Sequence, residues 1–159
     1  MKNTIKILTL LCVCTASTCI GRDSDNCHYG VTIVNLSDYA VYFDHYWDTI
    51  SYRFYPPSGM VANSGLCKVG PHESKRSFSR SCLEYAFTKG VAFHDGSFGL
   101  LDTLRFFIFD AVVMERELEY KVLKRYDLSL ECLRRLGFRV SYPPGEEMRY
   151  IKQYPPFGQ

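Results

Sequence analysis

The sequence predicts an α+β, mainly β fold: an antiparallel, β-sandwich-like domain with a few short helices. Three observations lead there. Short runs rich in β-branched and aromatic residues recur between turn signals. One run, Thr103–Phe109, is apolar with almost no polar break, as in a central strand buried on both faces. Strand-like and helix-like segments do not alternate regularly, which argues against a βαβ parallel sheet. At 159 residues, 47% of them hydrophobic, the chain is sized for one core and is too apolar for a disordered one.

The elements follow in chain order. Gly30–Leu36 is rich in β-branched residues and reads as a strand; Ser37-Asp38 is a turn signal, and Ala40–Phe43 reads as the returning strand of a hairpin. Tyr52–Tyr55 is a short strand candidate stopped by Pro56-Pro57-Ser58-Gly59. Leu66–Val69 and Lys75–Phe78 are strand pieces separated by Gly70-Pro71. Ser81-Cys82-Leu83-Glu84 matches a capping box and predicts a short helix ending near Lys89-Gly90. Asp95–Gly99 reads as a loop before the Thr103–Phe109 strand, and Met114–Val122 is charged and helix-prone. Ser129 caps a helix whose Leu130, Leu133 and Leu136 share one face, with Arg134 and Arg135 outward and Gly137 at its end. Phe138–Tyr142 alternates as a strand closed by Pro143-Pro144-Gly145, and the tail, with Pro155-Pro156, is expected to run extended over the surface.

The first residues have another character. Lys2 and Lys6 precede the apolar run Ile7–Cys14, and the small residues Thr15-Ala16-Ser17-Thr18 lead to Cys19. Basic start, short apolar stretch and small-residue exit in that order predict a secretory signal peptide over residues 1–18. The run is shorter than the about 20 apolar residues that span a bilayer. Ala16-Ser17-Thr18-Cys19 approximates a bacterial lipobox, departing from it at Ala16 and Thr18. It makes Cys19 the candidate lipidation site, with simple cleavage after Ala16 or Gly21 as the competing outcome. A diacylated Cys19 would anchor the chain in the membrane. The expected organisation is signal peptide 1–18, polar tether 19–29 and one globular domain 30–159. The expected location is the outer membrane or cell surface, or alternatively the periplasm.

Loss of the leader removes Lys2 and Lys6 and leaves as many basic as acidic residues, so a net charge of +2 becomes neutral. A neutral domain has no electrostatic reason to bind nucleic acid. Four cysteines remain after Cys19: Cys27, Cys67, Cys82 and Cys132. An even number in an exported chain suggests two disulfides with three connectivities, against buried free thiols as the alternative.

Leu123-Lys124-Arg125-Tyr126-Asp127-Leu128-Ser129-Leu130-Glu131, Leu133, Val140-Ser141-Tyr142-Pro143-Pro144, Met148–Lys152 and Tyr154-Pro155-Pro156 form a recurring C-terminal signature. Together with Val34–Asp38 and Asp102-Thr103-Leu104 it resembles a family of small exported lipoproteins of gut-type Gram-negative anaerobes. The resemblance covers most of residues 30–156. That family has no assigned activity, so the resemblance implies compartment and domain extent and carries no catalytic residue across. It also implies that Asp48-Thr49-Ile50 and Asp102-Thr103-Leu104 match an Asp-Thr-aliphatic pattern of O-glycosylation, making Thr49 and Thr103 candidate sites. In a bacterial source the Asn35-Leu36-Ser37 sequon would be idle.

Motifs for chemistry are sparse. His28, His45, His72 and His94 are scattered and show no zinc-ligand spacing. Asp44-His45 with Asp48 is the densest ligand group, next to Tyr46 and Trp47. Cys67 with His72 or His94 is a formal nucleophile pair, to be weighed against a structural cysteine. Neither a Gly-x-Ser-x-Gly elbow nor a phosphate-binding glycine loop occurs. No catalytic residue, cofactor or metal ligand is assigned. Eight aromatic residues fall between Tyr39 and Tyr55, mostly as core, with Tyr46 and Trp47 as the candidate binding surface. Lys124, Arg125, Arg134, Arg135 and Arg139 read as a solvated basic face. The favoured reading is a non-catalytic envelope module, held by its lipid anchor, that binds a protein or glycan partner. A purely structural or inhibitor-like module is a variant of it. The alternative is a small hydrolase or metal-dependent enzyme built on Asp44, His45 and Asp48.

Overall fold

The structure is a computed structural model that describes residues 23–24, 26–46, 66–79, 81–92, 96–117 and 119–159. Cys19, Trp47, Asp48, Thr49, the expected Tyr52–Tyr55 strand and His94 lie outside these residues. Among the described residues the architecture is mainly β, with three short helices, and two sheets face each other across one core.

The larger sheet contains β2 (Val41–Tyr46), β3 (Cys67–Val69), β7 (Leu104–Asp110), β8 (Val122–Leu128) and β10 (Lys152–Tyr154). Its order is β10-β8-β7-β2-β3, antiparallel throughout. The smaller sheet is β4-β1-β9, formed by β1 (Thr32–Asn35), β4 (Ser74–Arg76) and β9 (Arg139–Tyr142). Here β1 runs antiparallel to β4 and parallel to β9. A two-stranded ribbon joins β5 (Val91–Ala92) to β6 (Phe98–Gly99). The helices are α1 (Leu83–Thr88), α2 (Ala111–Glu117) and α3 (Leu130–Arg135). Among the described residues no helix is long and apolar enough to cross a membrane.

β7 is the central strand that its composition predicts, and strand alternation divides its side chains between two apolar layers. Leu104, Phe106 and Ile108 enter the main core, with Phe43, Tyr126 and Leu128 from the same sheet and Ile33 and Val140 from the opposite one. The Tyr126 hydroxyl donates to the Ser141 carbonyl at 2.9 Å, fastening the two sheets. Phe107 and Phe109 face the other way and are covered by Met114 of α2. That helix starts where β7 ends because Asp110 Oδ1 accepts the backbone N–H groups of Val112 and Val113. Removing side chains of this size from water contributes about 1.5–3 kcal/mol each.

Several expectations are corrected. β1 and β2 are not a hairpin but belong to different sheets. The cause is buried Asn35: its Nδ2 donates to the carbonyls of Tyr39 (2.7 Å) and Gly70 (2.9 Å), and its Oδ1 accepts from the Ser37 N–H and hydroxyl. This turn carries the chain from one layer to the other. The capping box does not form; Cys82 occupies the N-cap without a side-chain capping hydrogen bond, and Glu84 turns to His28 instead. The helix expected over Met114–Val122 lies at Ala111–Glu117, and Val122, the last residue of the expected range, already begins β8. Phe98–Gly99, read as loop, pairs with Val91–Ala92. The tail forms an edge strand on β8 rather than crossing the surface unpaired. Lys124, assigned to a solvated face, is buried, while Arg134, Arg135 and Arg139 are exposed.

Of the four cysteines, Cys27 and Cys82 form a disulfide with Cα atoms 5.4 Å apart, and Cys67 and Cys132 are free. Residues Cys27 and His28, inside the segment expected as a tether, are therefore tied to the body. The His28 ring stacks on Phe138 with centroids 3.6 Å apart.

Candidate functional site in a groove on the smaller sheet

The outer face of the smaller sheet carries the side chains that alternate away from the core. In the parallel register Val34 lies beside Ser141 and Thr32 beside Arg139. α3 ends against this face. Ser129 caps it as predicted, its hydroxyl accepting the Cys132 N–H. Its C-terminus closes with two reversed bonds, Gly137 N–H to the Arg134 carbonyl (3.0 Å) and Phe138 N–H to the Leu133 carbonyl (2.8 Å). Gly137 has φ +58°, the left-handed conformation that this closure requires. Arg135 and Leu136 are thereby left on the rim.

Beyond β9 the chain doubles back. Gly145 N–H donates to Ser141 Oγ at 3.1 Å, and Ser141 Oγ donates to Glu147 Oε1 at the same distance. These bonds hold the 3-10 turn Glu146–Met148 over the strand and set Tyr150 as a wall. The Arg135 guanidinium carbon lies 3.9 Å from the Tyr150 ring centroid, a close cation–π contact. Burial raises the Tyr150 phenol pKa against the pull of Arg135, so the ring is neutral at physiological pH.

The result is an open groove of about 450 Å³ lined by Val34, Leu36, Arg135, Leu136, Arg139, Ser141, Glu147 and Tyr150. This volume lies in the range of ligand sites. Leu36 is 52% and Tyr150 41% exposed, so the apolar part is accessible. Two guanidinium groups against one carboxylate leave the lining positive. Ser141 Oγ is already engaged by Gly145, Glu147 and Met148 Sδ, which suits a positioning role rather than attack on a substrate. The arrangement can bind a ligand that joins an apolar surface to a negative group.

Of the residues singled out from the sequence, Arg135 and Arg139 of the basic face line the groove, and the candidate ligands, thiols and aromatic residues do not. Asp44 and His45 are neighbours on β2 and point to opposite faces. The Asp44 carboxylate acts on Tyr120 of the outer layer, while the His45 ring stacks on Phe106 of the core layer at 5.4 Å. Burial of its ring against the core pushes the His45 imidazole down to about 4. Tyr46 ends β2 opposite Arg105. Cys67 sits on β3, where burial raises its thiol pKa against the effect of Lys75. His72 bonds Asp38 Oδ1 at 3.0 Å. Thr103 is half-buried on the approach to β7.

The groove escaped the sequence reading because its walls come from residues 34–36, 135–141 and 147–150. Of these, only the exposed arginines left a local signal. Comparisons with family models, with curated proteins and with solved structures find no match for the chain.

Proposed function

We propose that this chain is an exported envelope protein, anchored through Cys19, whose globular domain is a non-catalytic binding module with the groove on the smaller sheet as its binding surface. The groove is the observation that carries the reading. Its accessible tyrosine beside Arg135 and Arg139 supplies two residue types enriched at the energetic centres of protein interfaces, and Leu36 adds apolar surface next to them. One face of Tyr150 is taken by Arg135, which leaves less aromatic surface for a sugar ring and favours a protein partner with apolar and acidic side chains. The Cys27–Cys82 disulfide supports an oxidising compartment, in keeping with the leader and with the resemblance to exported lipoproteins. The alternative of an enzyme built on Asp44, His45 and Asp48 draws no support from Asp44 and His45, which face opposite ways.

Two measurements test the proposal. Intact-mass analysis of protein from native membranes should show loss of residues 1–18 and a lipid mass on Cys19; a chain with Met1 still attached would overturn the export reading. Cross-linked co-purification should recover a protein partner with the wild type and lose it, on the order of tenfold, in Leu36→Asp and Arg139→Glu. Retention by both variants, or binding only to glycans on an array, would overturn the groove as a protein site.

A further inference from the structure

A second cluster lies away from the groove, where the segment before β1 meets α1. The Glu84 carboxylate is buried in the first turn of α1, at 6% exposure. Its Oε2 accepts the His28 backbone N–H at 2.8 Å, and its Oε1 lies 2.6 Å from His28 Nδ1. The same Oε2 lies 3.4 Å from Cys82 Sγ. The sulfurs of Cys27 and Cys82 and a Glu84 oxygen are all within 4.8 Å of one another. His28 cannot swing freely, because its ring is stacked on Phe138.

This is unusual company for a structural disulfide. A disulfide sulfur carries no proton, so it offers the nearby carboxylate no hydrogen bond. In the dithiol form the Cys82 S–H can donate to Oε2. Two thiolates and a carboxylate converging from two segments are also a donor set for a borderline-soft divalent ion. Thiolate, imidazole and carboxylate are the ligands zinc selects.

We propose that Cys27, Cys82 and Glu84 form a zinc site in the dithiol state of this protein, with His28 orienting Glu84, and that the disulfide is the metal-free state of the same site. Cys27 is half-buried, so solvent can reach the cluster and complete the coordination with a water. His28 is a positioning residue. Its N–H groups fix the ligating carboxylate, as outer-shell partners do elsewhere.

The interconversion balances. A dithiol reductant transfers two electrons and two protons: its own two S–H groups become a disulfide, the Cys27–Cys82 bond breaks, and two thiols form. Zn²⁺ then displaces those two protons to water and gains two sulfur ligands and one oxygen ligand. In the reverse direction a disulfide oxidant takes two electrons from the two thiolates: its own S–S bond breaks, its two sulfurs take two protons from water and leave as thiols, the Cys27–Cys82 bond re-forms, and the ion is released. The inference is independent of the groove and of its partner.

The test uses the full chain with its Cys27–Cys82 bond either intact or reduced anaerobically with a phosphine. Zn²⁺ is titrated against a chromophoric chelator, and Co²⁺ serves as the spectroscopic probe. The reduced protein should bind about one ion per chain, with thiolate-to-cobalt charge-transfer absorption, and the oxidised protein none. Glu84→Gln should weaken zinc binding by at least about 10-fold, the smallest loss expected even for an outer-shell partner. The double variant Cys67→Ser/Cys132→Ser should keep the charge-transfer band, and Cys27→Ser/Cys82→Ser should lose it. The proposal is overturned by a reduced wild type that binds no zinc, by a band that survives in Cys27→Ser/Cys82→Ser, or by unchanged affinity in Glu84→Gln. Loss of the folded circular-dichroism signal on reduction would overturn it too, because the site then has no scaffold.

Discussion

His45 shows how a single side chain can carry a pH dependence that its sequence context does not suggest. Read along the chain, it stands between two acids and looks like a ligand or a solvated turn residue. In the fold, strand alternation turns it inward against Phe106, and burial lowers it to about 4. In the unfolded chain its value is about 6.5. Between these two values the unfolded state holds a proton that the native state does not, so acid favours unfolding. The stabilisation from keeping the ring neutral is complete above pH 6.5 and is lost as pH falls toward 4. Glu84 adds an acid step at lower pH. Burial works to raise its carboxyl, but the hydrogen bonds from the His28 backbone and ring and from its own amide outweigh that and bring it below the ordinary value. Its contribution is present above the unfolded carboxylate pKa and disappears as pH drops through the folded one. Replacing His45 with Phe should flatten the upper step, removing up to about 1.4 kcal/mol per pH unit between 6.5 and 4. Urea titrations at pH 7, 5.5 and 4.5 would check this, and an unchanged slope in His45→Phe would assign the acid sensitivity elsewhere.

Elements whose instructions are local were legible; elements whose partners are distant were not. β7 announced itself through an uninterrupted apolar run, and α3 through Ser129 at one end and Gly137 at the other. β8 did not, because Leu123-Lys124-Arg125-Tyr126-Asp127 places charges where a buried strand is expected to be apolar. The structure shows what each charge meets. Arg125 makes a two-pronged pair with the buried Asp127 carboxylate, Nε and Nη2 each at 2.6 Å. Lys124 Nζ donates to the carbonyl of Pro155 at 2.8 Å, with those of Pro156 and Gln159 at 3.3 Å. Those carbonyls reach Lys124 only once β10 has paired with β8, so no window around Lys124 reveals that the position is buried. Burial lowers the Lys124 ammonium pKa. The ammonium thus works as a clasp on the tail. Lys124→Met should keep the sheet but release residues 155–159, at a cost of about 2 kcal/mol for the lost charged hydrogen bonds. Limited chymotrypsin digestion should then cut after Phe157 faster than in the wild type, the Tyr154-Pro155 bond being resistant. Equal cleavage rates would mean that β10 pairing alone holds the tail.

At the scale of the whole molecule, the sequence carried the fold class but not the assignment of strands to sheets. β1 finds one neighbour in β4 and the other in β9, about a hundred residues away and parallel to it. Pairing of that range has no local signature, and the groove inherits the same opacity because β1, β9, α3 and the turn after β9 must all be in place before it exists. The same long-range closure gives the disulfide its leverage. Cys27 and Cys82 are separated by 55 positions, and both β1 and β2 lie within the loop they close. Cross-linking a loop of that size removes unfolded-state entropy worth about 4 kcal/mol at room temperature on the chain-entropy estimate. Since a domain of this size is stable by about 5–15 kcal/mol, the reduced form should remain folded but lose a large share of its margin. The loss should come with a steeper urea dependence, because the freed unfolded chain exposes more surface. Parallel urea titrations with and without phosphine would show both effects. A loss below about 1 kcal/mol with an unchanged slope would mean that the cross-link restrains the unfolded chain very little, and that the pairing of β1 with β9 holds the N-terminal segment by itself.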